Sequence, residues 1–170
     1  MKTILSIDPG IKHYGYAVIE YDEQELYNND YELKLLVAGD IENLSSYRGV
    51  YENIRDLIIS YKPSLLVVEK IFMNINPKTS FYLNSGRTMC LLLGEQYNIP
   101  IHELSSTTIK KIITGYGHST KECIQDIVLK YFKCQITFNG SDAIAIGLSY
   151  ILSYKEQNIK NDDLSVIYNL

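Results

Sequence analysis

Tryptophan is absent from this 170-residue chain, proline occurs four times and cysteine three times. The three cysteines, Cys90, Cys123 and Cys134, are odd in number and show no metal-ligand spacing, which argues against both a disulfide framework and a cysteine-held zinc site. They read as reduced thiols of a cytoplasmic protein, with Cys90 and Cys123 as packing residues in helices. No apolar run approaches the roughly 18–20 residues that cross a bilayer, so no membrane partner is expected. The N-terminus enters an apolar strand pattern at once, without the charged-then-apolar signature of a secretory signal. Internal repeats and low-complexity segments are missing as well. So is an excess of positive charge: 16 Lys and Arg stand against 20 Asp and Glu, a net −4.

What is present starts with the distribution of that charge. From Lys70 to Lys121 there are six basic residues (Lys70, Lys78, Arg87, Lys110, Lys111 and Lys121) and two acidic ones, Glu95 and Glu103. This stretch is locally +4, which leaves −8 for the remainder. Phosphate binding follows local potential more than the overall isoelectric point, so a nucleic-acid partner stays open despite the acidic total. Aromatic content is nearly all tyrosine, 15 Tyr against 4 Phe. At this length one domain with a real core is expected.

The hydrophobic pattern divides the chain into alternating elements. Thr3–Asp8 reads as a buried strand stopped by Pro9-Gly10, Gly15–Tyr21 as a second strand and Leu33–Asp40 as a third, together an antiparallel meander. Val50, Ile54, Leu57 and Ile58 repeat at helical spacing, which predicts an amphipathic helix over Tyr47–Tyr61, ended by Lys62-Pro63. Ser64–Glu69 is a short β-branched strand, parallel to the first and buried on both faces. Ile71–Lys78 reads as a loop, Thr79–Tyr97 as a helix apolar over much of its surface, and Ile99–Leu104 as a strand. Thr107–Thr114 and Ser119–Phe132 read as helices separated by Gly115-Tyr116-Gly117-His118, with Ser119 and Glu122 as a capping box. Ser141 caps a last helix to about Lys155, and a polar tail follows. The order β-β-β-α-β-α-β-α-α-α predicts an α/β fold, a mixed five-stranded sheet with helices on both faces. The domain spans 1–155 and the tail 156–170.

Three acids stand out in this frame. Asp8 ends Ile4-Leu5-Ser6-Ile7-Asp8-Pro9-Gly10, Glu69 ends Leu65-Leu66-Val67-Val68-Glu69, and Asp142 opens Asp142-Ala143-Ile144-Ala145-Ile146. A carboxylate at the end of a buried strand is costly unless a cation compensates it. Ligands of mixed sheets lie beyond the carboxyl ends of strands, where Asp8 and Glu69 fall, and Asp142 in a first helical turn can reach the same edge. Each has a plainer reading alone: a turn aspartate, an edge residue, an N1 helix acid. Jointly they suit Mg²⁺, which favours a few carboxylates and retains waters. Two such ions about 4 Å apart activate water and stabilise the leaving oxygen of a phosphodiester. Asp8, on the central strand, is then the bridging ligand, with Glu69 and Asp142 holding one ion each.

Ile7-Asp8-Pro9-Gly10 with Gly15-Tyr16-Ala17-Val18-Ile19 resembles the opening of the RuvC family of bacterial Holliday junction resolvases. Val68-Glu69-Lys70-Ile71-Phe72-Met73-Asn74 resembles that family's second acidic motif and Ser141-Asp142-Ala143-Ile144-Ala145-Ile146 its last. Gly115-Tyr116-Gly117 with Lys121 matches a further pattern, so the resemblance runs from about Lys2 to Tyr154. It implies an RNase H-like fold, a homodimer contacting through the Thr79–Tyr97 helix, and metal-dependent nicking of two strands of a four-way DNA junction. It also implies Mg²⁺ as cofactor, two ions per site with Mn²⁺ able to substitute, and a branch-migration motor as a further partner. Catalytic and metal-binding roles fall on Asp8, Glu69 and Asp142. Where the family usually has an acid or histidine three residues before the last Asp, this chain has Asn139. That departure leaves a second ion less well held, or marks an engineered, inactivated or divergent site. His118 is either a substitute general base or a DNA-facing surface residue. Phe72 matches an aromatic that inserts near the junction crossover; an exposed Phe on a polar loop is a stacking wedge for unpaired bases, unless it tucks onto the core. Lys110 and Lys121 match basic positions near the site, and Lys78 and Arg87 are further phosphate contacts. Rival readings are a less selective nuclease for three-way junctions and flaps, and a branched-DNA-binding module that does not cut.

Overall fold

The computed structural model describes residues 1–10, 13–28, 31–41, 46–71, 77–133 and 135–168. Five strands form one sheet in the order β3-β2-β1-β4-β5. They are β1 (Lys2–Asp8), β2 (Tyr14–Tyr21), β3 (Leu33–Ile41), β4 (Leu65–Lys70) and β5 (Ile101–Ser105). β1, β2 and β3 are antiparallel neighbours, whereas β4 and β5 run parallel to β1. The carboxyl ends of β1, β4 and β5 therefore share one edge of the sheet.

Two cores sandwich this sheet. On one face Leu5, Ile7, Val18, Leu66 and Val68 pack with Val50, Ile54 and Ile58 of helix α1 (Tyr47–Tyr61) and with Cys90 and Leu93 of α2 (Pro77–Gln96). On the other, Ile4, Ala17, Ile19 and Val67 pack with Ile109 of α3 (Ser106–Thr114), Ile124 and Val128 of α4 (Lys121–Phe132), and Ala143 to Ile151 of α5 (Phe138–Tyr168). The inner strands are apolar on both faces because both are covered. β3, at the sheet's edge, carries a bulge opposite Val18 and Ile19. There Leu36 and Val37, though consecutive, both pack on the α1 side.

Helix ends follow local chemistry. Ser46 caps α1 by accepting from Gly49 N, and Lys62, in the left-handed region at φ 46°, closes it before Pro63. Pro77 opens α2 two residues ahead of the expected start, at the position proline suits best in a helix. The remainder of the expected Ile71–Lys78 loop lies mostly outside the described residues. Two expected caps are displaced. Thr120, not Ser119, caps α4 by accepting from Cys123 N, because the Ser119 hydroxyl is bonded to Tyr116 O and Thr114 Oγ1 in the preceding loop. Thr137, not Ser141, caps α5: its hydroxyl accepts from Gly140 N at 3.1 Å, and its carbonyl already accepts from Ser141 N. Ser141 is inside the helix, donating to Phe138 O.

At its other end α5 continues to Tyr168, beyond the expected stop near Lys155. The intervening sequence holds neither glycine nor proline to break it. Cys90 is buried in α2 as expected, and burial pushes its thiol up to about 12, so it stays protonated. Cys123, expected to be a packing residue, is exposed on α4. Cys134 lies outside the described residues. Among the described residues no helix is long and apolar enough to cross a membrane.

Candidate active site

The parity of the strands places the acids. Along β1, Ile4 and Ser6 face α5 while Leu5 and Ile7 face α1 and α2, so Asp8 continues the α5-facing set. Along β4, Val67 faces α5 while Leu66 and Val68 face the other way, so Glu69 faces α5 as well. Ile7 and Val68 are register partners in the parallel pair. Asp8 and Glu69 are therefore the next residues on adjacent strands, about 4.8 Å apart across the ladder. Helix α5 crosses this face and supplies Asp142.

The three carboxylates line one cleft of about 70 Å³ together with Ser106, Ile109, Lys110, Lys121, Ile124, Ala145 and Ile146. Larger hollows lie elsewhere, about 720 Å³ beside β3 and about 300 Å³ between β3 and α1. Converging charge rather than volume distinguishes the small cleft. Asp8 opens onto it but is otherwise enclosed by protein. Burial holds its carboxyl well above the usual carboxylate range, reinforced by the charge of Glu69, a hydrogen bond with Glu69 and the charge of Asp142. Lys121 acts in the opposite direction without cancelling these effects. Its Nζ lies 2.5 Å from Asp142 Oδ2. Partial burial lowers the lysine's affinity for its proton, but the Asp142 hydrogen bond and the three nearby carboxylates outweigh that, and its pKa is raised.

This arrangement can do two things. Two hydrogen-bonded carboxyls on adjacent strands either share a proton or bind a cation. All-oxygen donors of this kind suit a hard divalent ion such as Mg²⁺. Among the described residues no three acidic, histidine or cysteine side chains are drawn together tightly enough to chelate an ion as they stand. Asp142 is turned to Lys121 instead, and this one lysine offsets only part of the charge of the three acids.

Asp142 is the fifth residue of α5 rather than its first. The helix dipole acts within the first turn, so it does little for this carboxylate. Position is secured differently. The fully buried Ser6 hydroxyl donates to Ala143 O at 2.7 Å, and Ala17 O lies 3.3 Å from the same oxygen. One side chain on the Asp8 strand thus clamps the residue following Asp142. Gly15, the register partner of Asp8, touches the same helix: a Cβ there would lie 1.9 Å from Asn139 O. Ser6 and Gly15 lie within the quoted motifs, but the sequence assigns neither a role in positioning α5. A hydroxyl inside an apolar strand is the signal that could have marked Ser6.

Of the other expected site residues, Lys110 lines the cleft and Lys121 reaches into it. Asn139 lies one helical turn before Asp142 but is not among the residues lining the cleft. Arg87 is engaged away from the cleft. Its guanidinium forks onto both carboxylate oxygens of Glu103, joining α2 to β5, and holds that carboxyl below its usual range. His118 stands edge-on to Tyr116, with ring centroids 5.6 Å apart, and is not among the cleft's lining residues. Phe72 lies outside the described residues, as does the Lys78 side chain.

Comparison with known proteins agrees with this geometry. The family model described as crossover junction endodeoxyribonuclease RuvC matches residues 4–150. The RuvC protein of Ehrlichia ruminantium is 34% identical, over 90% of this chain and 98% of its own. That of Caldicellulosiruptor saccharolyticus is 30% identical, over 95% and 99%. Among solved structures, Thermus thermophilus RuvC in complex with a Holliday junction substrate superposes with a TM-score of 0.77, covering 92% of this chain and 97% of that one, at 18% identity. The yeast mitochondrial Holliday junction resolvase Ydc2 superposes at 0.65, covering 93% and 81%, at 14% identity. These structural likenesses confirm the mixed five-stranded α/β fold, and the sequence matches establish the family. The chain belongs to the RuvC family of crossover junction endodeoxyribonucleases.

Proposed function

We propose that Asp8, Glu69 and Asp142 are the catalytic carboxylates of a Holliday junction resolvase that hydrolyses phosphodiesters with Mg²⁺, two ions per site, Mn²⁺ being able to replace it. The observation that carries this reading is the Asp8–Glu69 pair. Two acids are held side by side at a partly enclosed strand end, with one lysine to offset three carboxylates. Such a site is costly for a fold to maintain unless a cation belongs there. Divalent-metal catalysis is implied by the family, and when bound the metal supplies Lewis acidity and a more acidic water.

The chain's own residues do the rest. Asp8 and Glu69 are fixed by the sheet and the backbone beside Asp142 by the Ser6 clamp, so two donors stand ready and only the Asp142 side chain has to turn from Lys121 on binding. Lys110 at the cleft wall takes a DNA phosphate. Lys121 neutralises Asp142 while the acids are unloaded and is placed to meet a phosphate once they are compensated otherwise. Asn139, one turn before Asp142 but outside the cleft lining, adds no fourth carboxylate to the site. α2 serves a homodimer: it packs Cys90 and Leu93 inward and leaves Leu92 57% exposed. A twofold axis there presents two clefts to two symmetric strands of a four-way junction.

The test is cleavage of a mobile four-way junction with nicks mapped to the nucleotide, alongside three-way and flap substrates. Asp8→Asn should bind the junction as the wild type does while losing nicking in Mg²⁺ by more than about 10³-fold, the scale on which electrostatic preorganisation acts. Nicking by Asp8→Asn at the wild-type rate would remove Asp8 from the mechanism. Equal cutting of all three substrates would replace junction resolution by general debranching.

A further inference from the structure

We infer that Tyr116, backed by His118, is a stacking platform for one nucleobase of the DNA strand in the cleft, a few nucleotides from the phosphate being cut. The inference rests on the nuclease reading above.

Tyr116 sits at the tip of the α3–α4 connection and is 63% exposed, more than any other tyrosine among the exposed large hydrophobics. An aromatic ring so exposed gains nothing from the core. The loop that carries it is nevertheless tied down on every side. Gly115, at φ 80°, closes α3 in the left-handed conformation that glycine adopts without strain. Thr114 Oγ1 accepts from Tyr116 N at 3.1 Å, Ser119 Oγ donates to Tyr116 O at 2.8 Å, and Ser119 N donates to the same carbonyl at 3.2 Å. The Thr114 and Ser119 hydroxyls meet each other across the base of the loop. These bonds hold the backbone of Tyr116 and leave its ring free. His118 stands edge-on behind it with ring centroids 5.6 Å apart, which limits where the ring can turn. A rigid, exposed ring loses little freedom when a base stacks on it.

Position and charge identify the base's source. α3 supplies Ser106, Ile109 and Lys110 to the cleft, and α4 begins with Lys121, bonded to Asp142. Ser119, bonded to Tyr116 O, is two residues from Lys121, at most about 7 Å of chain. No acidic residue occurs between Glu103 and Glu122, while Lys110, Lys111 and Lys121 fall within that span. A strand whose phosphate meets Lys110 or Lys121 thus passes a loop whose flanking charges are basic up to Glu122, which is held at the start of α4 by Thr120. Phe138, at the start of α5, is similarly exposed but adjoins Thr137, whose hydroxyl donates to Asp40; a carboxylate there disfavours the backbone that a stacked base brings with it. Stacking is tolerant of base identity, so the platform would position the strand more than read its sequence.

The experiment measures junction affinity in EDTA, so that no strand is cut, for wild type, Tyr116→Ala, Tyr116→Phe and His118→Ala, on intact junctions and on a series with one abasic site moved through the strand around the mapped nick. Wild type should lose about 5- to 150-fold in affinity at one abasic position, the contribution of one stacked base. Tyr116→Ala should lose a similar factor on the intact junction and nothing further at that position. Tyr116→Phe should match wild type, and His118→Ala should fall between. Tyr116→Ala binding like wild type, or losing the same factor at the same abasic site, overturns the platform. Circular dichroism on each variant shows that the fold is retained, as expected where only backbone atoms of Tyr116 hold the loop. Failure of the wild type itself to nick the junction in Mg²⁺ overturns the nuclease reading instead, so the two failures are distinct.

Discussion

Gly15→Ala tests whether the close approach of β2 to α5 sets the geometry of the acids. The added Cβ would lie 1.9 Å from Asn139 O and 2.5 Å from Asn139 C. Both are backbone atoms of a helix, so no side chain can swing aside. Bringing the shorter contact to 3.0 Å, below which side-chain carbons are essentially never found, opens the gap by about 1.1 Å. Asp142 is three residues along the same helix and moves with it, while Asp8, paired with Gly15 across the ladder, moves with the sheet. Overpacking of this kind costs about 1–3 kcal/mol, which for a chain of this size is about 2–12 °C in Tm. A displacement of about 1 Å in a preorganised site costs on the order of 100-fold in rate. Junction nicking in Mg²⁺ should therefore fall by about two orders of magnitude at temperatures where the variant is fully folded. Gly39→Ala is the control, because its Cβ would meet Tyr16 at an ordinary 3.5 Å, and both its Tm and its rate should stay near wild type. A Gly15→Ala protein that nicks within twofold of wild type would refute the coupling of β2 to Asp142.

Three further outcomes follow from the same contacts. Burial and Glu69 raise the Asp8 pKa in the fold, so the folded state holds a proton that the unfolded chain releases. The contribution of Asp8 to the stability of the metal-free protein is then fully present below the ordinary carboxyl pKa and is lost as pH rises through the raised folded value. The wild-type urea midpoint in EDTA, taken relative to that of Asp8→Asn at each pH, should fall over that window, and a difference that stays flat or rises would contradict the assignment. Ser6→Ala removes a buried hydrogen bond to Ala143 O and should cost about 1 kcal/mol in chemical denaturation, with nicking reduced severalfold and junction affinity unchanged; equal losses in both would mean that the clamp does not act through Asp142. Arg87→Ala should cost about 1–2 kcal/mol through the lost Glu103 fork and leave junction affinity within twofold, whereas a large loss of affinity that weakens with salt would return Arg87 to the phosphate-binding set.

Much of the fold was legible because its elements are locally consistent. The runs ending in Asp8 and Glu69 are apolar on both faces, and only a covered inner strand makes sense of them. The Val50, Ile54 and Ile58 spacing marked α1 to its exact ends, since Ser46 and Lys62-Pro63 bound it. Caps were less legible. Ser119 and Ser141 are good capping residues by type, but each hydroxyl is used elsewhere, by Tyr116 in one case and by Phe138 in the other. Which of two neighbouring hydroxyls caps a helix depends on the loop that precedes it, and that loop's bonds are not periodic. Arg87 failed for a related reason. Its charge suggested phosphate, but Glu103 is sixteen residues away on another element, and only the packing of α2 against β5 brings the two together.

The site itself divides the same way. The types of the three acids and their places at strand ends could be read along the chain, and the pairing of Ile7 with Val68 is enough to set Asp8 beside Glu69. Bringing Asp142 to them is a different problem, because a helix crossing a sheet can slide or rotate without changing its own sequence pattern. What fixes α5 is a pair of close backbone contacts. Ser6, two residues before Asp8 and on the same face, fastens Ala143. Gly15, directly across from Asp8, lets the first turn of the helix touch the sheet. Both contacts depend on small residues that carry no charge and resemble no ligand, so although both fall within the quoted motifs, a search for charged or ligating side chains passes over them. They nonetheless tie the distance between the sheet's two carboxylates and the helix's one to the residues next to Asp8, and the chemistry depends on that distance.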